Sequence, residues 1–573
     1  MNEMKTVKYI LSLAFILGLA SCTGDFEKIN KNPNAVYPDE ASARYFITNP
    51  EFQLYAPNRY PYWRAHLIHT DRYAGYFTFG FKGSWWNDEL GYRYHSGYTN
   101  AAWGWLEGYF SQINNFLSLT GEGGDFENPL MHAVGKVIKV LYYQMFTDVF
   151  GEIPYSEAGD PNIQQPKFDT QNDIYKGLIQ TLDEAIATIG DNDRTGDGVD
   201  DLGENDIIYN GDLQKWKKLA NTLKLRLAMR AYGAQGADWV SNVVSNAFTT
   251  GVFLDNEDDN ALLPKDNEIS QWGSACYGDI WWNFGLGSNW TMGKYLIDYM
   301  AKYDDPRLEK YAKPAPGGTF VLYRPKADED QDGYDNFPHR IDYLHTVLND
   351  ATGGDMTFTD WGDSVQISIP ENKYYIGQPP RLNSKVYPFA RYEFWSTPAD
   401  IVIQKKNQGK PIFPEIILTT AESYFLRAEA IERGLATGDA QDLFNQGITY
   451  AMKLWGVDDG AIAAYLANSD LAHLDGTTDE NLEKIHIQKW IAHYTDGFEG
   501  WADLRKNGAP LEMAQGVSDP LIFGLGDDNG VLPQRLRYGS QAYNTNGDNL
   551  QEALDRQGPD AQGTKLWWAK WSK

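Results

Sequence analysis

The chain has 573 residues, 42% of them hydrophobic, enough for a sizeable core and too apolar for a disordered polymer. Its net charge of −28, from 78 acidic against 50 basic residues, excludes nucleic acid and anionic headgroups as the surfaces it is built to meet. The 19 Trp and 36 Tyr are a surplus. A large aromatic core accounts for more than half of them, and flat ligand surfaces are the other use.

The first predicted element is a leader. Lys5 and Lys8 precede an apolar block from Ile10 to Ala20, broken only by Ser12 and Gly18. That is the length of a signal-peptide core and too short to span a bilayer as a helix. Leu19-Ala20-Ser21-Cys22 resembles the bacterial lipobox, so residues 1–21 are expected to be removed and Cys22 to carry the acyl chains, palmitate among them. No later apolar run reaches membrane-spanning length. Cys276 is the only other cysteine, so an acylated Cys22 leaves no disulfide within the chain, and Cys276 reads as a small buried hydrophobe. Residues 22–34 form a polar tether, and 35–573 a single domain.

Next comes "FTFGFKGSWWNDELGYRYHSGY", Gly-rich and loop-like, with Trp85 and Trp86 beside Asn87 and Asp88 and with Tyr94 close by. Helical spacing then begins. "TNAAWGWLEGYFSQINNFLSLT" places Trp105, Tyr109, Ile113 and Phe116 at helical intervals. "PLMHAVGKVIKVLYYQMFTDVFG" stops at Gly151. A third helix starts at Asp169, with Ile174, Leu178, Leu182 and Ile186 on one face, and ends at Gly190. A fourth has Asp212 as its cap and Gly233 after its end. Near the C-terminus "LTTAESYFLRAEAIERG" and "GDAQDLFNQGITYAMKLWG" form another adjacent pair, followed by "NLEKIHIQKWIAHYTDG". The helical scaffold thus covers about 35–250 and 415–573. Pairs joined by short Gly-rich turns suggest stacked helical hairpins, although the period is irregular. Between about 251 and 414 lies an insertion poor in helical patterns, read as long loops and short strands.

The insertion holds the second aromatic cluster, "QWGSACYGDIWWNFGLGSNW", with Trp272, Trp281, Trp282, Asn283 and Trp290. Sugar rings offer apolar C–H faces and hydroxyl edges, so they need flat aromatics with Asn, Asp or Arg nearby. Both clusters supply that, although one Trp of each pair could equally be core. Trp216, Trp490 and Trp501 sit in helical phrases and read as core.

Two acidic runs resemble calcium loops. Asp193, Thr195, Asp197, Asp201 and Glu204 fall at EF-hand positions 1, 3, 5, 9 and 12, and Gly198 at 6. Asp328, Asp330, Asp332, Tyr334 and Asn336 occupy positions 1, 3, 5, 7 and 9 of a second run, where His339 replaces the final Glu. Structural Ca2+ is one reading; solvated acidic loops bonded to themselves are the other.

Several phrases together resemble the SusD/RagB nutrient-binding lipoproteins of Bacteroidetes-type bacteria. They are "CTGDFEKINKNPNAV", "QMFTDVFGEIPYSEA", "DTQNDIYKGLIQTLDEA", "WKKLANTLKLRLAMR", "DDPRL", "LTTAESYFLRAEAIERG", "GFEGWADLRKNG" and "LPQRLRYGSQAYNTN", in the family's order. Gly539 and Ala542 depart from the usual Pro and Glu. The resemblance implies a mostly α fold, with four tetratricopeptide-like helix pairs packed against a loop-rich ligand-binding region. It also implies a cell-surface lipoprotein of the outer membrane, with Asp25 and Glu27 as a surface-export signal. Such a protein would capture an oligosaccharide, or in some members a peptide, and pass it to a SusC-like TonB-dependent transporter without catalysis.

The rival class is a glycan-cleaving enzyme, which needs two carboxylates about 5–10 Å apart. Asp88 and Asp279, beside the tryptophans, are the candidates, and neither sits in a catalytic motif. His66-Leu-Ile-His69 lacks the Glu and spacing of a zinc-protease helix, and neither G-x-S-x-G nor a P-loop occurs.

Overall fold

The computed structural model describes residues 41–79, 91–265, 275–283 and 290–570, without the side chains of 281–283 and 570. The leader and Cys22 lie outside the described residues.

Helices form where the apolar spacing asks for them. After α1 (Thr48–Tyr55), α2 (Ser96–Thr120) buries Trp103, Leu106, Tyr109, Ile113 and Phe116, one face at three- and four-residue intervals. In α3 (Pro129–Phe150) the Asn128 side chain accepts from the amides of Leu130 and Met131. The helix stops at Gly151, whose φ of 98° suits a residue without Cβ. α4 (Gln171–Ile189) starts two residues later than expected, capped by Thr170. Asp169 instead closes a two-residue strand pairing with Ile153, and its carboxylate accepts from the Tyr155 and Ser156 amides. α5 (Leu213–Ala231) is capped by Asp212 as expected, and α6 (Val240–Thr250) follows.

The region 251–414 is less loop-like than its sequence. It contains α7 (Lys294–Lys302) and the 21-residue α8 (Gln331–Ala351). α8 escapes notice because its first turn is polar and Pro338 lies inside it, interrupting the buried face of Phe337, Ile341, Leu344 and Leu348. The C-terminal part is again mainly helical, with α9 (Thr420–Glu432), α10 (Ala440–Leu454), α11 (Thr478–Ala492), α12 (Gly497–Asn507) and α13 (Ser540–Gln557). Thr477 and Glu480 form a reciprocal capping box at the start of α11.

Each helix packs chiefly on its neighbours in sequence: α2 on α3, α3 on α4, α4 on α5, α5 on α6, and α9 on both α10 and α11. α5 also meets α9, which joins the two helical halves across the insertion. This mostly α architecture of stacked neighbours is the expected one.

Charge ties that junction together. Arg226 on α5 grips Glu422 on α9 through two bonds of 2.6 Å. Arg230 bonds Asp148 of α3 at 2.6 Å and pairs with Glu499 of α12. The two ring nitrogens of His493 face Asp503 at 2.8 Å and Glu422 at 3.1 Å. An imidazole held by two carboxylates is charged, and its pKa is raised to about 10 by them against the opposing effect of burial.

Strands are short. β1 (Phe77–Phe79) runs antiparallel to β2 (Trp290–Met292), with Phe79 opposite Trp290. β3 (Gly318–Tyr323), β4 (Thr357–Asp360) and β5 (Ser364–Ile369) form an antiparallel sheet in the order β3-β5-β4. Among the described residues no helix is long and apolar enough to cross a membrane.

Candidate functional site

The β1–β2 ribbon is where the two aromatic-rich stretches are rooted. The first leaves the ribbon after Phe79, and the second re-enters it at Trp290; these two residues are directly paired. The short helix Tyr277–Asn283, which carries Trp281, Trp282 and Asn283, starts beside the same ribbon. The Tyr277 ring meets the Phe77 ring edge-on at 5.3 Å, and its hydroxyl donates to Asp71 at 2.8 Å. Stretches some two hundred residues apart in sequence therefore issue from one place.

The base of the ribbon is rigid. The Phe79 carbonyl accepts from Gln378 Nε2 at 3.1 Å and from the Tyr387 hydroxyl. Thr291 Oγ1 donates to Gln378 Oε1 at 2.6 Å, and all of these groups are buried. Such a fully satisfied buried network fixes the direction in which the chain leaves.

The far end of the first stretch is stapled by Arg381. Its Nε donates to Gly524 O at 3.0 Å, Nη1 to Gly530 O and Val531 O, and Nη2 to Gly91 O at 2.8 Å and Leu525 O at 2.6 Å. All five guanidinium N–H groups are used on backbone carbonyls, from a residue 4% exposed. Its φ of 62° is unusual for a side chain with Cβ. Gly91 allows the approach: a Cβ there would lie 2.8 Å from Gly524 backbone atoms. Sequence reading missed Arg381, since nothing local marks a residue whose partners lie roughly 140 and 290 positions away.

The sequence-predicted residues divide as follows. Trp85, Trp86, Asn87, Asp88 and Trp272 lie outside the described residues, as do the side chains of Trp281, Trp282 and Asn283. Tyr94 is half-buried, with the Arg537 guanidinium 4.0 Å over its ring and its amide bonded to Asp527 at 2.7 Å. One face of that ring is thus already covered. Trp290 is a correction: it is 1% exposed, a strand residue whose ring packs edge-on to Phe79 at 5.2 Å, and it belongs to the base of the site. Cys276 is buried as expected. Burial and the nearby Asp279 push its thiol up to about 11, which makes it a poor nucleophile. Asp279 accepts from the Cys276 amide at 3.2 Å and lies 3.7 Å from Lys406, a structural role at the start of its helix.

Neither acidic run is folded as a calcium loop. Asp330 is the N-cap of α8, accepting from the Gly333 amide at 3.0 Å. Asp332 is in the first turn and binds Arg340 at 2.9 Å and Asn336 at 2.8 Å. Tyr334 and Asn336 are helical, so Asp328 to Asn336 cannot wrap one ion. In the earlier run Thr195 is 4% exposed, its hydroxyl donating to Asp200 O and accepting from the Leu202 amide. Asp201 accepts from Gly203, and Asp197 and Glu204 flank or lie in separate single 3-10 turns. Among the described residues no cluster of three or more acidic, His or Cys groups is arranged to hold a metal.

A groove of about 440 Å3 lies elsewhere, between the end of α7 and the helix Asp459–Asn468, lined by Tyr303, Asp304, Tyr465 and Asn468 among others. None of the sequence-predicted residues lines it.

Comparison with known proteins matches residues 36–342 and 374–539 to the model of a SusD-like family described as "Starch-binding associating with outer membrane". No curated protein matches the chain. Among solved structures, a chitin-binding protein is 25% identical with a TM-score of 0.67, covering 92% of this chain and 100% of its own. A SusD homologue from Bacteroides uniformis, at 22% identity, has a TM-score of 0.69 and covers 92% and 99%. A SusD-like protein from Bacteroides thetaiotaomicron, also at 22%, has a TM-score of 0.67 and covers 92% and 98%.

Proposed function

The chain belongs to the SusD-like family, and from that premise we propose that it is a carbohydrate-binding protein of nutrient uptake at the outer membrane. It captures an oligosaccharide at the cell surface and hands it to a SusC-like TonB-dependent transporter, without cleaving it. The observation that carries the reading is the Phe79–Trp290 pairing, which roots two tryptophan-rich stretches side by side on a rigid base. Aromatic faces from two separate stretches can then converge on a sugar, a geometry that neither stretch supplies alone. The family's description as starch-binding, and a chitin-binding protein among the similar structures, support a glycan over a peptide.

The anchor follows from Cys22. An acylated first residue on the polar tether 22–34 holds one end of the chain at the membrane while the body is free to move over a transporter. Of the groups beside the ribbon, Asp279 is bonded to its own helix start, and burial and Asp279 hold the Cys276 thiol protonated.

The test is incubation of the purified protein with starch- and chitin-derived oligosaccharides. Calorimetric binding with no shortened products after prolonged incubation is the expected result. Product formation abolished by Asp88→Asn would replace the binder with an enzyme.

A further inference from the structure

The β3-β5-β4 sheet has one face in the core and one in water. Leu322, Val365, Ile367 and Ile369 point inward and are buried. Phe358 stacks on His345 of α8 at 4.2 Å, and Phe320 meets Phe394 edge-on at 5.4 Å. With one face fixed in the core the register cannot slip, so the residues on the other face are fixed too.

The outward face ends in an aromatic row. Tyr323 pairs with Ser364, and the Trp361 amide donates to Ser364 O at 2.9 Å across the β4–β5 turn. Tyr323 is 72% exposed and Trp361 54%, the two most exposed large aromatics among the described residues. Two strand spacings, ~10 Å, separate their backbones; Ser364 between them is buried and its hydroxyl donates to the Asp363 carboxylate at 2.9 Å. The turn is pinned: Gly362 donates to Asp360 at 2.7 Å and the Arg324 amide to Asp363 O at 2.9 Å. Behind this row lie Val321, Gln366 and Thr359, and behind those Thr319, Ser368 and Thr357.

No position of these three rows carries a charge, in a chain that is 22% charged with a net −28. What the face offers is two flat rings and a field of hydroxyls and an amide, as in the Thr319–Ser368 hydroxyl pair at 2.8 Å. The patch measures ~300 Å2 from strand spacing and rise, well below the ~800 Å2 per partner of a stable protein interface. The family match stops at 342 and resumes at 374, so β4, β5 and Trp361 lie outside the residues that the family model matches.

We propose that this face is a second glycan-contact surface, separate from the loops at the β1–β2 ribbon, which lays Tyr323 and Trp361 against the C–H faces of a neutral polysaccharide. It rests on the glycan-binding reading above. Rings stack on the sugar, the Thr, Ser and Gln side chains meet its hydroxyls, and the rigid sheet adds little ordering cost. A surface of this kind holds an extended polymer while the ribbon loops take a chain end or a short oligosaccharide.

The test compares the full chain with Trp361→Ala/Tyr323→Ala and with Trp361→Phe. Retention is measured on granular starch, chitin and cellulose, and affinity for the matching soluble oligosaccharides by calorimetry. The expected result is about a ten-fold loss of retention in the double variant, with soluble affinity changed by less than about two-fold and Trp361→Phe close to the parent. Equal retention of parent and double variant overturns the second surface and leaves the binder intact; so does a parent that binds oligosaccharides but no particle. A parent that binds neither overturns both readings. Concentration-dependent dimerisation that the double variant abolishes would assign the face to a second copy of the chain instead.

Discussion

At the scale of single residues, the decisive ones are those whose partners are remote. Arg381 spends five donors on five carbonyls, whereas a lysine has three and no planar fork. Arg381→Lys strands buried acceptors and is expected to lower stability by about 2–4 kcal/mol in denaturant unfolding. A loss under ~0.5 kcal/mol would mean the staple is not structural. Asp496 behaves in the opposite sense. It caps α12, accepting from the Glu499 amide at 3.2 Å, but burial and then the Glu499 charge push it up to about 7. An acid whose folded pKa is raised costs stability as pH climbs from its ordinary value through the raised one. Asp496→Asn keeps the cap acceptor and removes the charge. Its stability relative to the parent should therefore grow by on the order of 1–2 kcal/mol between pH 5 and 8, then level off. A pH-independent difference would contradict that. The tryptophans show what sequence does reveal: Trp216, Trp490 and Trp501 are fully buried, and their indoles donate to Asp206, Ala74 O and Pro533 O at 2.7–2.8 Å. Trp290 resisted the same reading because its Gly- and Asn-rich surroundings look like a loop. Its strand partner is Phe79, far away in sequence.

At the scale of elements, helices with an uninterrupted apolar face and a capping residue were legible, as α3 and α5 show. α8 was not, because an acidic start serves two purposes. Asp at an N-cap and acids in a first turn favour a helix N-terminus for the same reason that Asp suits calcium: both put negative oxygen against positive charge. The run from Asp328 therefore matched the wrong template. Asp330→Ala should cost about 1 kcal/mol through the lost cap. Calcium should leave the melting temperature of the parent unchanged; a rise on adding calcium that Asp328→Asn removes would restore the metal site. The β3-β5-β4 sheet was foreseen only as short strands, since its pairing joins segments separated by α8.

At the scale of the whole molecule, a buried lattice of opposite charges holds the helical halves together, and its pH behaviour is a property of the fold. His493 carries a raised pKa of about 10, so its contribution is fully present below its unfolded value near 6.5 and is lost as pH rises through about 10. Unfolding should become steadily easier between about pH 6.5 and 10, and His493→Gln should flatten that decline while lowering stability at neutral pH. Stability unchanged between pH 7 and 10.5 would contradict the charged pair. The anchor belongs to this scale as well: Cys22→Ala is expected to release the protein from membranes, and retained attachment would refute lipidation at that residue. Fold and family were legible because helix faces, caps and scaffold phrases are local. The ribbon, the Arg381 staple and the outward sheet face were not, because each is made by contacts that no window of sequence contains. The most direct test of the central claim is a calorimetric titration of starch- and chitin-derived oligosaccharides into the parent and into a Trp85→Ala/Trp282→Ala variant. Saturable binding by the parent, weakened about ten-fold or more in the variant, is the predicted result. Binding by the variant equal to that of the parent would contradict the site, and no binding of any glycan by the parent would contradict the function.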